Sequence, residues 1–237
     1  MNSYFCEAKK IKVGKNKLRK FAENETFENM VQAPRTDLLE NGLELKGKWH
    51  KEFFKNDNPI VLELGCGKGE YTVGLGEQFP EKNFIGIDIK GARMWRGART
   101  AIDNKMTNIG FLRTHIELIH NCFAKDEVSE IWITFPDPQI KYRRRKKRLT
   151  APDMLDMYRK VLSDDAVIHL KTDSQFLHGY TLGIVEGYGH KVLDSSYDID
   201  KQKADNKLLQ IRTNYEGIFR DKGMTITYIK FQLNKNV

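Results

Sequence analysis

Residues 59–71 read PIVLELGCGKGEY, and the fold turns on how they are taken. The run PIVLEL is apolar except for Glu63, the pattern of a short strand buried on both faces. Gly65, Gly67 and Gly69 follow at alternate positions, and helical spacing then continues to about Phe79. Glycine permits positive φ and a close backbone approach, and a helix N-terminus offers free N–H groups to a ligand. A glycine pattern alone also fits a plain tight turn, so the context on both sides has to decide.

Working outward, the same alternation recurs. FIGIDI (84–89), IGFLR (109–113), EIWITF (130–135), AVIHLK (166–171), KVLDSS (191–196) and MTITYIKF (224–231) read as strands. Between them, GARMWRGARTAIDNK (91–105), PDMLDMYRKVL (152–162) and the segment from Gln175 to about Glu186 carry helical spacing. Strands alternating with helices predict an α/β domain: a Rossmann-like, doubly wound, mostly parallel sheet of seven strands with helices on both faces. Residues 196–211 read as a polar insertion before a last helix in TNYEGIFRDKG (213–223), and no internal repeat is present.

The glycine turn narrows the ligand. A dinucleotide fingerprint has G-x-G-x-x-G, whereas this turn has G-x-G-x-G with Glu63 on the strand before it. A carboxylate so placed repels a pyrophosphate and suits a ligand bearing an ammonium and a sulfonium. Asp88 ends the second strand, 21 residues after Gly67, where a ribose diol meets its acceptor. Two acids and this turn fit S-adenosylmethionine better than NAD.

The net charge of +8 favours an acidic partner. That charge is concentrated after the fourth strand. FPDP (135–138) breaks the chain there, and seven of the eight residues from Lys141 to Arg148 are basic. Pro136 and Pro138 restrict the backbone around Asp137, which should face the cleft at the carboxyl edge of the sheet. A turn aspartate is the plain alternative. Arg143, Arg144, Arg145, Lys146, Lys147 and Arg148 are suited to backbone phosphates, and Tyr142 to stacking on an exposed base. Residues 1–35 form a basic arm with Lys9, Lys10, Lys12, Lys15, Lys17, Arg19 and Lys20. It reads either as a solvated tail or as an arm that orders against a phosphate backbone, with Phe21, Phe27, Met30 and Val31 available for docking. The globular domain is expected over 36–237.

No apolar run approaches the ~20 residues of a membrane span, and MNSYFCEAKKIKVGKNK lacks a signal-peptide core, so a cytoplasmic protein is expected. Cys6, Cys66 and Cys122 are scattered, which predicts neither disulfides nor a metal site.

Taken together, LELGCGKGEY, FIGIDIK, FPDPQIKYRRRKKRLTAPDML, HLKTDS and TNYEGIFRDKG, in that order over roughly three quarters of the chain, resemble the bacterial tRNA (guanine-N7)-methyltransferase family. The FPDP segment with its basic run and RLT is the most specific of these pieces. The resemblance implies a class I methyltransferase that uses S-adenosylmethionine on a guanine of tRNA, at position 46 of the variable loop. It implies Asp137 as the catalytic acid, with Glu63, Gly65, Gly67, Asp88, His115 and Asp137 around the cofactor. Lys141, Asp173, Thr213, Asn214, Tyr215 and Glu216 are implied on the substrate. His115 occupies the place where many methyltransferases put an acid or amide against adenine, with Glu117 nearby. Asp173 also reads as a helix cap. A small-molecule methyltransferase and a non-catalytic RNA-binding protein on the same shell are the competing readings, with an NAD enzyme third.

Overall fold

The computed structural model describes residues 14–234. Its sheet contains β1 (Met30–Gln32), β2 (Ile60–Leu64), β3 (Asn83–Asp88), β4 (Ile109–Arg113), β5 (Val128–Thr134), β6 (Leu162–Thr172), β7 (Lys191–Ser196) and β8 (Thr227–Gln232). The spatial order is β1-β4-β3-β2-β5-β6-β8-β7. The strands from β1 to β6 are parallel, and β8 inserts antiparallel between β6 and β7. The helices are α1 (Gly14–Asn24), α2 (Arg35–Glu40), α3 (Glu70–Gln78), α4 (Gly91–Asp103), α5 (Ile119–Cys122), α6 (Pro152–Arg159), α7 (Gln175–Gly187), α8 (Ile199–Gln202), α9 (Lys207–Gln210) and α10 (Asn214–Asp221).

Period-2 alternation along the strands divides the core in two. Leu62, Leu64, Ile85, Ile87, Ile131 and Ile133 join Met154, Leu155 and Leu177 of α6 and α7 on one face. Val61, Phe84, Phe111 and Trp132 join Tyr71, Leu75, Met94 and Ala98 of α3 and α4 on the other. Both faces are covered, so the central strands are apolar on both sides, as a doubly wound sheet requires.

The sheet has eight strands rather than seven. The added strand, β1, pairs Met30 with Phe111 and Gln32 with Arg113. Three residues are too few for alternation to register in a sequence. Residues 196–211 are also more than a polar insertion: α8 and α9 bury Ile199 and Leu209, and Ile211 follows them into the core. The helix from Pro152 stops at Arg159, and Leu162 already belongs to β6. Within the arm, α1 lies on α4, with Asn24 Nδ2 donating to Gly91 O at 2.9 Å and Trp95 Nε1 to Glu23 at 2.7 Å. Lys9, Lys10, Lys12 and Cys6 lie outside the described residues.

The chain winds from β2 outward through β3 to β4 on one side and through β5 to β6 on the other. The carboxyl ends of β2 and β5 are therefore neighbours at a topological switch point, where open α/β sheets hold ligands. The glycine turn follows β2, and FPDP follows β5.

Candidate active site at the carboxyl edge

Gly65, Gly67 and Gly69 have φ of +78°, +58° and +73°. The N–H groups of Gly65 and Cys66 donate to Ile87 O at 2.8 and 3.0 Å, which fixes the turn against the end of β3. The glycines do different work. A Cβ at Gly69 would come within 2.5 Å of the Phe111 ring, so that position serves the packing of α3 and α4 on the sheet. A Cβ at Gly65 would meet nothing within 4 Å, and the space it leaves is part of a pocket. Asp88 accepts from Gly67 N at 3.0 Å through Oδ2 and from Lys90 N at 2.9 Å through Oδ1. Each oxygen keeps a lone pair for a ligand.

Glu63 sits behind this turn, 3% exposed. Its carboxylate accepts from Thr72 N at 2.8 Å, from the Thr72 hydroxyl, and from Thr134 Oγ1 at 2.6 Å. Burial raises its pKa to about 7 against the opposing pull of those hydrogen bonds. The side chain thus ties β2 to α3 and β5 instead of opening onto the pocket.

The turn after β5 is held under strain. Phe135 and Gln139 both have φ of +47°, a region that costs a non-glycine residue about 1–3 kcal/mol. Several contacts hold it: Phe135 N donates to Lys171 O at 2.8 Å, and its ring lies 5.9 Å from Phe219. From the other end, Arg148 donates to Pro138 O at 3.4 Å and Gln139 O at 3.1 Å, and it lies over the rings of Phe176 and Tyr180. Between these anchors Asp137 stands exposed, in no ion pair among the described residues, with Oδ1 accepting from Gln139 N at 3.0 Å.

Asp173 follows β6 and is half-buried, with its pKa raised by burial. The cap of α7 is Ser174, which accepts from Leu177 N at 3.2 Å, so the Asp173 carboxylate is not the cap. Thr213 caps α10 by accepting from Glu216 N, and Asn214 N donates to Glu70 at 2.7 Å. Glu216 is fully buried, with one oxygen 2.8 Å from Lys171 Nζ and the other on Arg220. Lys171 Nζ also donates to the carbonyls of Leu209 and Ile211, and burial lowers its pKa to about 8. Lys171 and Glu216 together fasten the segment before α10 to β6.

These elements enclose a pocket of about 380 Å³. Gly65, Gly67, Asp88, Asp137, Asp173, Thr213 and Tyr215 line it, with Thr134 and Phe135 at the back and Lys68, Lys90 and Arg93 at one rim. Glu63, Lys141, Asn214 and Glu216 do not line it. His115 lines a neighbouring cavity of about 620 Å³ with Phe21, Asn24, Ile89 and Arg113, while Glu117 lines neither. In the basic segment Tyr142–Lys147 is an exposed 3₁₀ helix, whereas Arg148 is buried in the anchoring role just described. Sequence reading missed Lys68, Lys90, Arg93 and the latch that Lys171 and Arg220 form on Glu216. A lysine inside the apolar run AVIHLK was the one available signal for that latch. No group of three His, Cys, Asp or Glu among the described residues could hold a metal ion.

The fit to S-adenosylmethionine rests on the open space at Gly65, the spare lone pairs of Asp88 and the carboxylate of Asp137. These acceptors suit the hydroxyls of a ribose and the ammonium of an amino-acid tail. No helix among the described residues is long and apolar enough to cross a membrane.

Comparison with known proteins agrees with this geometry. Residues 57–229 match a family model described as "Putative methyltransferase". A tRNA (guanine-N(7)-)-methyltransferase of Christiangramia forsetii is 59% identical over 92% of this chain and 98% of its own. Its counterpart in Bacteroides fragilis is 51% identical over 93% of this chain and 87% of its own. Among solved structures, the 16S rRNA methyltransferase KamB superposes with a TM-score of 0.62 at 14% identity, covering 81% of this chain and 95% of that one. A SAM-dependent methyltransferase from Aquifex aeolicus gives 0.51 at 14% identity, covering 89% and 96%. The last two speak for the fold alone. On the family match and these identities, the chain belongs to the tRNA (guanine-N7)-methyltransferase family.

Proposed function

We propose that the protein transfers a methyl group from S-adenosylmethionine to N7 of a guanine in tRNA, at position 46 of the variable loop, in the cytoplasm. The observation that carries the reaction is the meeting of the glycine turn, Asp88, Asp137 and Asp173 in one pocket at the switch point. The tRNA and the N7 position come from relatives up to 59% identical that bear that name. When bound, the cofactor supplies an electrophilic methyl on a sulfonium. Gly65 leaves room for it, Asp88 receives its ribose, and His115 closes the cavity next to Ile89 on the adenine side.

Guanine N7 carries a lone pair and no proton, so the site needs no general base. Its work is alignment for in-line displacement and compensation of the charge that moves onto the purine. Two carboxylates of the pocket are proposed to share this work. Asp137 follows β5, beside the glycine turn, and is placed to offset charge developing near the transferred methyl. Asp173 follows β6, one strand further out, and would accept from the guanine N1–H and amino group. Adenine has no such pair of donors. Glu216, enclosed by two cations, holds Thr213 and Tyr215 in the pocket wall without touching the base.

The test is incubation with labelled S-adenosylmethionine and unmodified tRNA, followed by nucleoside digestion and mass spectrometry. The expected product is 7-methylguanosine at one site. Label on another nucleoside would break the assignment of N7. No label on the RNA, with the cofactor bound, would turn the reading to a small-molecule methyltransferase.

A further inference from the structure

Two groups of cations face solvent around the pocket mouth. One is the exposed Tyr142–Lys147 segment beyond β5, already given to the RNA. The other has no role so far: Lys68 in the glycine turn, Lys90 just before α4, Arg93 in its first turn and Arg96 in the next. Lys68, Lys90 and Arg93 line the pocket from the β3 side. Lys90, Arg93 and Arg96 are exposed, and three-residue spacing puts them on one face of the helix.

None of these four cations is in an ion pair among the described residues, although acids lie close by. Asp88 accepts from the backbone of Gly67 and Lys90, and Glu70 accepts from Asn214 N. The next arginine along, Arg99, is neutralised by Asp103 at 3.0 Å, so the unpaired stretch ends one turn past the pocket. On the flank of the same helix, Arg19 and Lys20 of α1 lie over the Trp95 ring. Like charges three apart on a helix repel one another, which makes an unpaired row at a ligand pocket costly unless an anion covers it.

A base drawn into the pocket leaves an RNA backbone running away in two directions. The 142–147 segment follows β5, on one side of β2, and β3 lies on the other. We propose that Lys90, Arg93 and Arg96, with Lys68 at the pocket edge, form a second phosphate-binding surface that holds the RNA strand on the β3 side of the target base. This inference rests on the tRNA reading above. Such contacts supply affinity and orientation and carry no base sequence.

The test compares the wild-type protein with Arg96→Ala, Arg93→Ala/Arg96→Ala and the charge-keeping Arg96→Lys. Steady-state methylation of tRNA is measured over a salt series, and S-adenosylmethionine affinity by calorimetry. The double variant should raise KM for tRNA about tenfold, the scale of lost charge-assisted contacts. It should also make the dependence of log kcat/KM on log salt shallower by about 1.5. Arg96→Lys should restore most of the loss seen in Arg96→Ala, and cofactor affinity should stay at the wild-type value in Arg96→Ala, whose side chain does not line the pocket. Unchanged KM and salt slope would overturn the surface and leave an ordinary solvated helix face. Weakened cofactor binding in step with KM would instead assign these cations to the cofactor's carboxylate. If the wild-type protein methylates no tRNA, the functional reading fails, and gel-shift binding of tRNA by the same variants still decides the surface: equal affinities overturn it.

Discussion

Asp137 stands exposed at the tip of the turn after β5, accepting one hydrogen bond, from the Gln139 amide. Glu216 is buried beneath α10, one oxygen on Lys171 and the other on Arg220. Both acids sit in segments that resemble a methyltransferase site, and their surroundings give them opposite tasks. A carboxylate with open lone pairs can exchange solvent for a ligand. One enclosed by two cations cannot turn toward a base without leaving Lys171 buried and unpaired. The number of partners already in place therefore separates the residue open to a ligand from the residue that holds the wall.

The largest effect expected from this contrast is on stability. Glu216→Ala removes the partner of a buried ammonium, a loss of about 3–5 kcal/mol. For a chain of this size that lowers Tm by roughly 10 °C. A thermal melt of the purified variant within 2 °C of wild type, on the order of measurement scatter, would break the contrast, since Glu216 would then be free to act as Asp137 does. Asp137→Ala should do the reverse. Its removal leaves no buried group unpaired, so the melt should be close to wild type. Loss of an electrostatic contact at the reacting centre should lower kcat by about 10²–10³-fold. A variant that melts early and keeps its kcat per folded molecule would exchange the two roles.

The sheet was legible because its central strands are buried on both faces, and the apolar runs 59–64, 84–89 and 130–135 state that directly. The glycine turn was legible for the same local reason. β1 was not, since its three residues gain their meaning from pairing with β4, about 80 positions later in the chain. The site divides in a similar way. Asp88, Asp137 and Asp173 follow strand ends, and strand ends can be found by counting. Whether an acid is enclosed depends on residues distant in sequence: Thr72 and Thr134 for Glu63, Lys171 and Arg220 for Glu216. Arg148 stands in the same basic run as Arg144, and only the rings of Phe176 and Tyr180 mark it as different.

Glu63 sharpens the contrast, because it is buried like Glu216 but has only hydroxyls and an amide as partners. With no cation paired to it among the described residues, burial raises its pKa from 4.5 to about 7. Between these values the folded state binds a proton that the unfolded state has lost. The group's contribution is complete below pH 4.5 and declines as pH rises toward 7, by about 3 kcal/mol in total. Glu63→Gln keeps an acceptor for Thr72 N and titrates nothing. Urea unfolding at pH 5 and pH 8 should show a smaller loss of stability in the variant than in wild type. Equal losses would mean that Glu63 stays ionised in the fold and is held as tightly as Glu216.

The smallest effects test the same distinction among cations. Arg144 is exposed, with no ion pair among the described residues, and it rides on a two-turn 3₁₀ segment beyond the pocket. Its replacement by alanine should raise KM for tRNA about threefold and reduce the salt slope by about 0.7–0.9, with kcat unchanged. Arg148 is four residues further on, 6% exposed, with its guanidinium on two carbonyls of the strained turn. Arg148→Ala should leave the salt slope alone and lower kcat, because Asp137 loses one of the two anchors that hold it between residues of positive φ. Arg148→Lys should not rescue it, since a lysine can neither span both carbonyls nor lie flat between the rings of Phe176 and Tyr180. If instead Arg148→Ala shifts the salt slope by as much as Arg144→Ala, its charge reaches the RNA despite its burial, and burial would not be the property that sorts this run.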